Sequence, residues 1–142
     1  MDDLEEEILI EKEHISTTLE SLKNALKRKK KSTIELAAIA TFLQNTYNGI
    51  ENIIKRILKS KKVYIPPSAT FHKDLLNIAV KKKIISKKLS KKLEEYLAFR
   101  HFFVHGYGVM LDKEKLLPIA KKLPKIWKEF EIEITKFIDK IK

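Results

Sequence analysis

STIELAAIATFLQNTYNGIENIIKRILKS, Ser32 to Ser60, decides the fold class. Leu36, Ile39, Leu43, Tyr47, Ile50, Ile54 and Ile57 return every three or four positions. That is the period of an α-helix with one buried face. Ser32 or Thr33 caps its start, with Glu35 or Leu36 in the first turn. Asn48, Glu51 and Asn52 lie beside the apolar stripe near mid-helix. A polar group there is either solvated or turned toward an interior site.

The same period extends upstream. Leu4, Ile8, Ile15, Leu19, Leu22 and Leu26 predict a long amphipathic helix over roughly residues 2–30. Glu5 to Glu7 in its first turns and Lys27 to Lys31 at its end match the helix dipole. The basic cluster reads equally well as a helix end or as a binding site. His14 sits among charged residues and reads as solvent-facing.

Downstream, Lys61 to Thr70 breaks the pattern, and Pro66-Pro67 holds the chain extended. A short helix follows over about Phe71 to Lys82, with His72 near its start, structural or exposed. Ser86 caps a helix from about Lys87 to His105, with Leu89, Leu93, Tyr96, Leu97 and Phe103 inward. Asp112 opens a short helix ending before Pro124. Pro124 then starts a final helix that buries Trp127, Phe130, Ile134, Phe137 and Ile141. No strand pattern or internal repeat is present. The expectation is an all-α, antiparallel bundle of four main helices with one or two short connecting helices, forming one domain over residues 1–142.

Composition bounds the chemistry. Only three glycines and four prolines fit long helices with few turns. Cysteine is absent, which removes disulfides, thiol nucleophiles and zinc–thiolate sites and fits a reducing cytoplasm. No run of about 18 apolar residues predicts a membrane span, and the acidic start MDDLEEE is the opposite of a signal peptide. The formal charge of +11 favours a polyanion as partner. Lysine-rich composition is also a genome habit or a heat-adaptation trait. The densest positive charge, seven lysines between Lys81 and Lys92, includes Lys87, Lys88, Lys91 and Lys92, the expected RNA-binding face.

Arg100 to Tyr107, RHFFVHGY, crowds polar groups onto a packed apolar backbone. His105 transfers protons near neutral pH, and the planar fork of Arg100 matches a phosphate. The bland reading is a helix C-terminus, with histidine near the last carbonyls and Gly106 as the stop. Arg100 and His105 stand five residues apart, about 140° around an ideal helix. They converge only if the helix ends near Val104, or if both line a cleft between two copies. His101 and His105, at i and i+4, share a face. They lack a third ligand nearby, so neither a metal nor a cofactor is expected.

At RHFFVHGY the sequence resembles the HEPN superfamily, and within it the HepT-like ribonuclease domains. Arg100, His105 and Tyr107 fit that family's arginine–spacer–histidine–x–tyrosine hallmark. LQNTYNGIENIIKRI, with Tyr47 and Glu51, looks like the family's second helix, and FHKDLL, LSKKLEEYLAFRH and LDKEKL also resemble it. The resemblance runs from Leu36 to about Leu117. One departure is His101, where many HepT proteins carry asparagine. The resemblance implies a HEPN-like helical homodimer with two Arg–His sets at a shared cleft. It implies a metal-independent endoribonuclease toxin of a type II pair, with Arg100 and His105 catalytic and His101, Glu51 and Asn48 in support. Its partners would be RNA and an MNT-type nucleotidyltransferase antitoxin that attaches AMP to Tyr107. A different reading is a non-catalytic basic helical module that binds nucleic acid or presents substrate to a nucleotidyltransferase. A third, a plain dimerisation domain, needs Arg100 and His105 solvated or merely capping.

Overall fold

The computed structural model of the chain describes residues 2–105 and 112–142. These residues form five α-helices: α1 (Asp2–Lys27), α2 (Thr33–Ser60), α3 (Phe71–Lys81), α4 (Lys87–Val104) and α5 (Lys113–Ile141). Among the described residues there is no strand. The long helices α1, α2, α4 and α5 make the bundle, and α3 is the short connecting helix.

Side-chain pairs give the directions. Ile15 meets Gly49, and Arg56 reaches back to Glu7 and Glu11 at 2.9 and 3.3 Å. Numbers rising along α2 therefore meet numbers falling along α1. Between α4 and α5 the pairs are Ser86 with Glu133 and Lys92 with Glu129, then Tyr96 with Ile119. Both neighbours are antiparallel.

α2 touches all four other helices. Ile39, Leu43, Tyr47, Ile50, Ile53, Ile54 and Ile57 are fully buried and anchor one continuous apolar cluster. Burying side chains of this size contributes about 1.5–3 kcal/mol each. The caps follow the sequence. Ser32 Oγ accepts from the Glu35 backbone N–H, and Glu35 Oε2 accepts from the Ser32 N–H at 2.8 Å. The Ser32 hydrogen bonds hold the exposed Glu35 carboxyl below its ordinary range. Ser86 Oγ accepts from the Leu89 N–H at 3.1 Å, and Asp112 Oδ1 from the Glu114 N–H at 2.9 Å. Lys31 Nζ donates to the carbonyls of Leu26 and Arg28, so in that cluster one lysine serves as a helix end.

The expected short helix ending before Pro124 does not exist as a separate element. α5 runs unbroken through Pro118 and Pro124. A proline inside a helix removes one hydrogen bond and costs about 3 kcal/mol. Against that, Leu116, Ala120, Leu123, Trp127, Phe130, Ile134 and Phe137 are all buried, at alternating spacings of four and three. Breaking the helix at Pro124 would turn one half of that stripe off the core. The Tyr96 hydroxyl also donates to the Ile119 carbonyl at 2.7 Å, just before Pro124.

Candidate functional site

On an ideal helix Gln44, Tyr47, Asn48 and Glu51 fall within an arc of about 100°. This arc of α2 looks toward α3 and α4 and is the polar part of the bundle interior. Glu51 is 2% exposed, and its two carboxylate oxygens lie 2.9 and 3.1 Å from Nδ1 of His72 on α3. This contact fixes the orientation of the His72 ring against the carboxylate. The His72 ring is 28% exposed and stands edge-on to Phe71, 5.3 Å between centroids.

Tyr47 is fully buried, and its hydroxyl lies near the Glu51 carboxylate without a hydrogen bond of standard geometry. Burial, then the Glu51 charge, pushes its phenol far above the ordinary range, while Arg100 pulls the other way. Arg100 of α4 thus lies close enough for its charge to be felt at Tyr47. Arg100 is half-buried, its Nε is enclosed without an acceptor, and among the described residues no carboxylate pairs with it. An enclosed donor left unpaired costs about 1–3 kcal/mol, so such a group calls for a reason.

α4 ends at Val104, the first of the two conditions for bringing Arg100 and His105 together. His105 is the C-cap residue, and its backbone N–H donates to the His101 carbonyl at 3.3 Å. The His101 and His105 rings are both exposed, with centroids 4.3 Å apart. Behind them Phe99 stacks on Phe103 at 5.7 Å, which stiffens the last turns. The end of α4 therefore turns a cation inward and two imidazoles outward. Gly106 and Tyr107 lie outside the described residues.

The remaining expected residues divide. Asn48 is half-buried and its Oδ1 accepts from Gln44 Nε2 at 3.4 Å, while Gln44 Oε1 is buried and unpartnered. Lys87, Lys88 and Lys91 are exposed, but Lys92 is held by both oxygens of Glu129 at 3.0 Å. One lysine of the four is therefore tied to α5, and three stay open to solvent. Among the described residues no three of His, Asp and Glu gather as a metal site requires. No helix among them is long and apolar enough to cross a membrane.

His72 fits the structural role expected of it, and its partner Glu51 is what the sequence does not show. The available signal was spacing: Tyr47 and Glu51 stand at i and i+4 on the central helix.

A family model described as "HepT-like protein" matches residues 38–141. No curated protein matches the chain. Among solved structures, the cytosolic protein of unknown function YutE from Bacillus subtilis is similar, with a TM-score of 0.68 at 19% identity over 91% of each chain. That likeness concerns the fold.

Proposed function

This chain belongs to the HepT-like family of HEPN proteins, and we propose that it is a metal-independent endoribonuclease, the toxin of a type II toxin–antitoxin pair. One observation carries the reading. Arg100, a permanent cation without an ion pair among the described residues, is held near buried Tyr47, five residues before an exposed histidine at the helix end. A phosphate on the guanidinium fork would give that cation the anionic partner it lacks.

RNA brings its own nucleophile, the ribose 2′-OH. His105 takes the 2′-OH proton as O2′ attacks the adjacent phosphorus. A 2′,3′-cyclic phosphate forms as the bond to O5′ breaks. Arg100 stabilises the negative charge that builds on the phosphate oxygens. A histidine of a second copy gives O5′ its proton. Val104, 50% exposed beside the two imidazoles, offers apolar surface for that second copy. Glu51, Asn48 and His101 support the site by holding their neighbours in place. The setting is the cytoplasm, in keeping with the absence of cysteine.

Purified protein incubated with RNA in excess EDTA tests this reading. The expected result is undiminished cleavage that leaves cyclic-phosphate ends. Activity lost in EDTA and restored by a divalent ion overturns the metal-independent mechanism. No cleavage under any condition favours the module that presents substrate to a nucleotidyltransferase.

Regulation belongs to the same proposal. A partner nucleotidyltransferase of the MNT type transfers AMP from ATP to the Tyr107 hydroxyl, releasing pyrophosphate. The added phosphate competes for Arg100 and repels the RNA backbone. After co-expression, mass spectrometry should find the mass of AMP on Tyr107 and a silent nuclease, with Tyr107→Phe left active. Equal silencing of wild type and Tyr107→Phe without added mass would show inhibition by binding alone.

A further inference from the structure

Beyond the polar cluster, the i, i+4 row of α2 continues from Tyr47 and Glu51 to Lys55 and Lys59. At 1.5 Å per residue it runs about 18 Å. Its far end opens into a groove of about 420 Å³ between α2, α3 and the extended segment that joins them. Lys55, Lys59 and Lys62 line this groove together with Tyr64 and Phe71, and no acidic side chain does. Lys55 Nζ lies 5.5 Å from the centre of the Phe71 ring. Phe71 in turn touches His72, the partner of Glu51. Groove and polar cluster are therefore contiguous.

We propose that this groove binds single-stranded RNA beside the polar cluster of Glu51, His72 and Arg100. The occupant follows from the lining. Three lysines without a carboxylate among them match a phosphate backbone. The α4 run is poorer in this respect, because Glu129 takes Lys92 and Glu133 takes Ser86. Tyr64 is 78% exposed on a segment that Pro66 and Pro67 stiffen, so its ring is a ready platform for a base. Stacking needs an unpaired base, which a duplex does not offer. Glu51 interrupts the positive row, but it is buried and turned onto His72. Lys62 adds a conformational argument. Its φ of 59° closes the C-terminus of α2 in the left-handed region, where glycine is the natural occupant. A lysine there gives up backbone ease and supplies a charge at the groove.

The proposal takes from the nuclease reading only the nature of the strand, and its test separates the two. The probe is a fluorescent 2′-O-methyl RNA 15-mer, which lacks the attacking hydroxyl, followed by anisotropy at several salt concentrations. Lys55→Gln with Lys59→Gln should weaken binding about tenfold and lower the salt slope by about 1.4, at 0.7 per phosphate contact. Tyr64→Ala should weaken it about fivefold or more with the slope unchanged. Lys62→Gly should weaken binding while the melting temperature holds or rises, so a folding defect cannot mimic the result. The triple change Lys87→Gln, Lys88→Gln, Lys91→Gln should cost less than about twofold. The proposal is overturned if the wild type binds no RNA, if the groove variants bind as the wild type does, or if duplex RNA binds as tightly. Loss of binding to anionic phospholipid vesicles in the groove variants, with RNA binding intact, overturns it as well. Tight binding without cleavage of ordinary RNA defeats the nuclease reading and leaves the groove standing.

Discussion

Gly49 and its neighbours Tyr47 and Glu51 occupy one turn of α2 and face opposite ways. At 100° per residue, Gly49 points about 160° or more from the other two. Its side of the turn is dry. A Cβ placed there would stand 2.6 Å from Ile15 Cγ1 and 2.7 Å from Cδ1, so the Ile15 side chain of α1 packs directly on the α2 backbone. The other side holds Tyr47 with a hydroxyl outside standard hydrogen-bond geometry, the Glu51–His72 pair and an unpartnered Arg100 Nε. At this turn one face packs apolar atoms closely, and the other encloses several polar groups. Proteins that break the rules of packing in one place do so where function needs it. The two faces should therefore respond differently to substitution, the dry one in stability and the polar one in activity.

The sharpest separation is expected at the polar face. Arg100→Ala and His105→Ala should each lower RNA cleavage by roughly 100-fold or more, since one supplies charge stabilisation and the other proton transfer. Neither should lower the melting temperature, because among the described residues Arg100 has no ion pair to lose and His105 is exposed. Single-turnover cleavage beside thermal unfolding measures both. Variants that retain full activity would remove these two residues from the mechanism and dissolve the contrast.

The dry face should give the reverse pattern. Gly49→Val forces atoms into Ile15, which is only 2% exposed and has nowhere to swing. Overpacking of this kind costs about 1–3 kcal/mol. Protein that remains folded should cleave at the wild-type rate. Ile15→Ala removes both clashing atoms at its own cost of about 2–5 kcal/mol. The double variant should therefore lose less than the sum of the two, a coupling that a denaturation cycle detects. Strict additivity would mean that the two helices do not meet at this point.

The dry half was legible in the sequence because its information is local. Ser32 and Ser86 cap the helices as read, and the stripe of α2 is the core. α5 was misread because the cost of Pro124 is local, whereas the reason to pass through it is burial against other helices. The polar half was legible only in part. Glu51 lies just beside the stripe, where periodicity alone permits either solvent or interior. What decides for the interior is His72, 21 residues further on, and no period encodes that meeting. The pairing of Lys92 was hidden for the same reason, since Glu129 stands 37 residues beyond it, while Lys87, Lys88 and Lys91 stay exposed. Arg100 and His105 stand out by their residue types and the motif they form, while the inward turn of Arg100 toward Tyr47 needed the structure.

Tyr47 supports the smallest and most diagnostic prediction. Its phenyl ring belongs to the core, fully buried with Leu43 and Ile50 near it in the stripe, and its hydroxyl belongs to the polar cluster. Tyr47→Phe keeps the ring and deletes only the oxygen. In an ordinary core that oxygen would be bonded, and its loss would cost about 0.5–1.5 kcal/mol. Here its polar neighbour is the Glu51 carboxylate, outside standard hydrogen-bond geometry, so its deletion removes a desolvated polar group and gives up only a loose contact. Stability should stay level or rise by up to about 1 kcal/mol. If the hydroxyl helps aim Arg100 at a phosphate, cleavage should fall at the same time, by less than Arg100→Ala causes and with the pH profile unchanged. A rise in stability with a loss of rate would mark the hydroxyl as retained for function. A loss of stability would show that the oxygen is bonded after all, and would move Tyr47 back to the dry side of the helix.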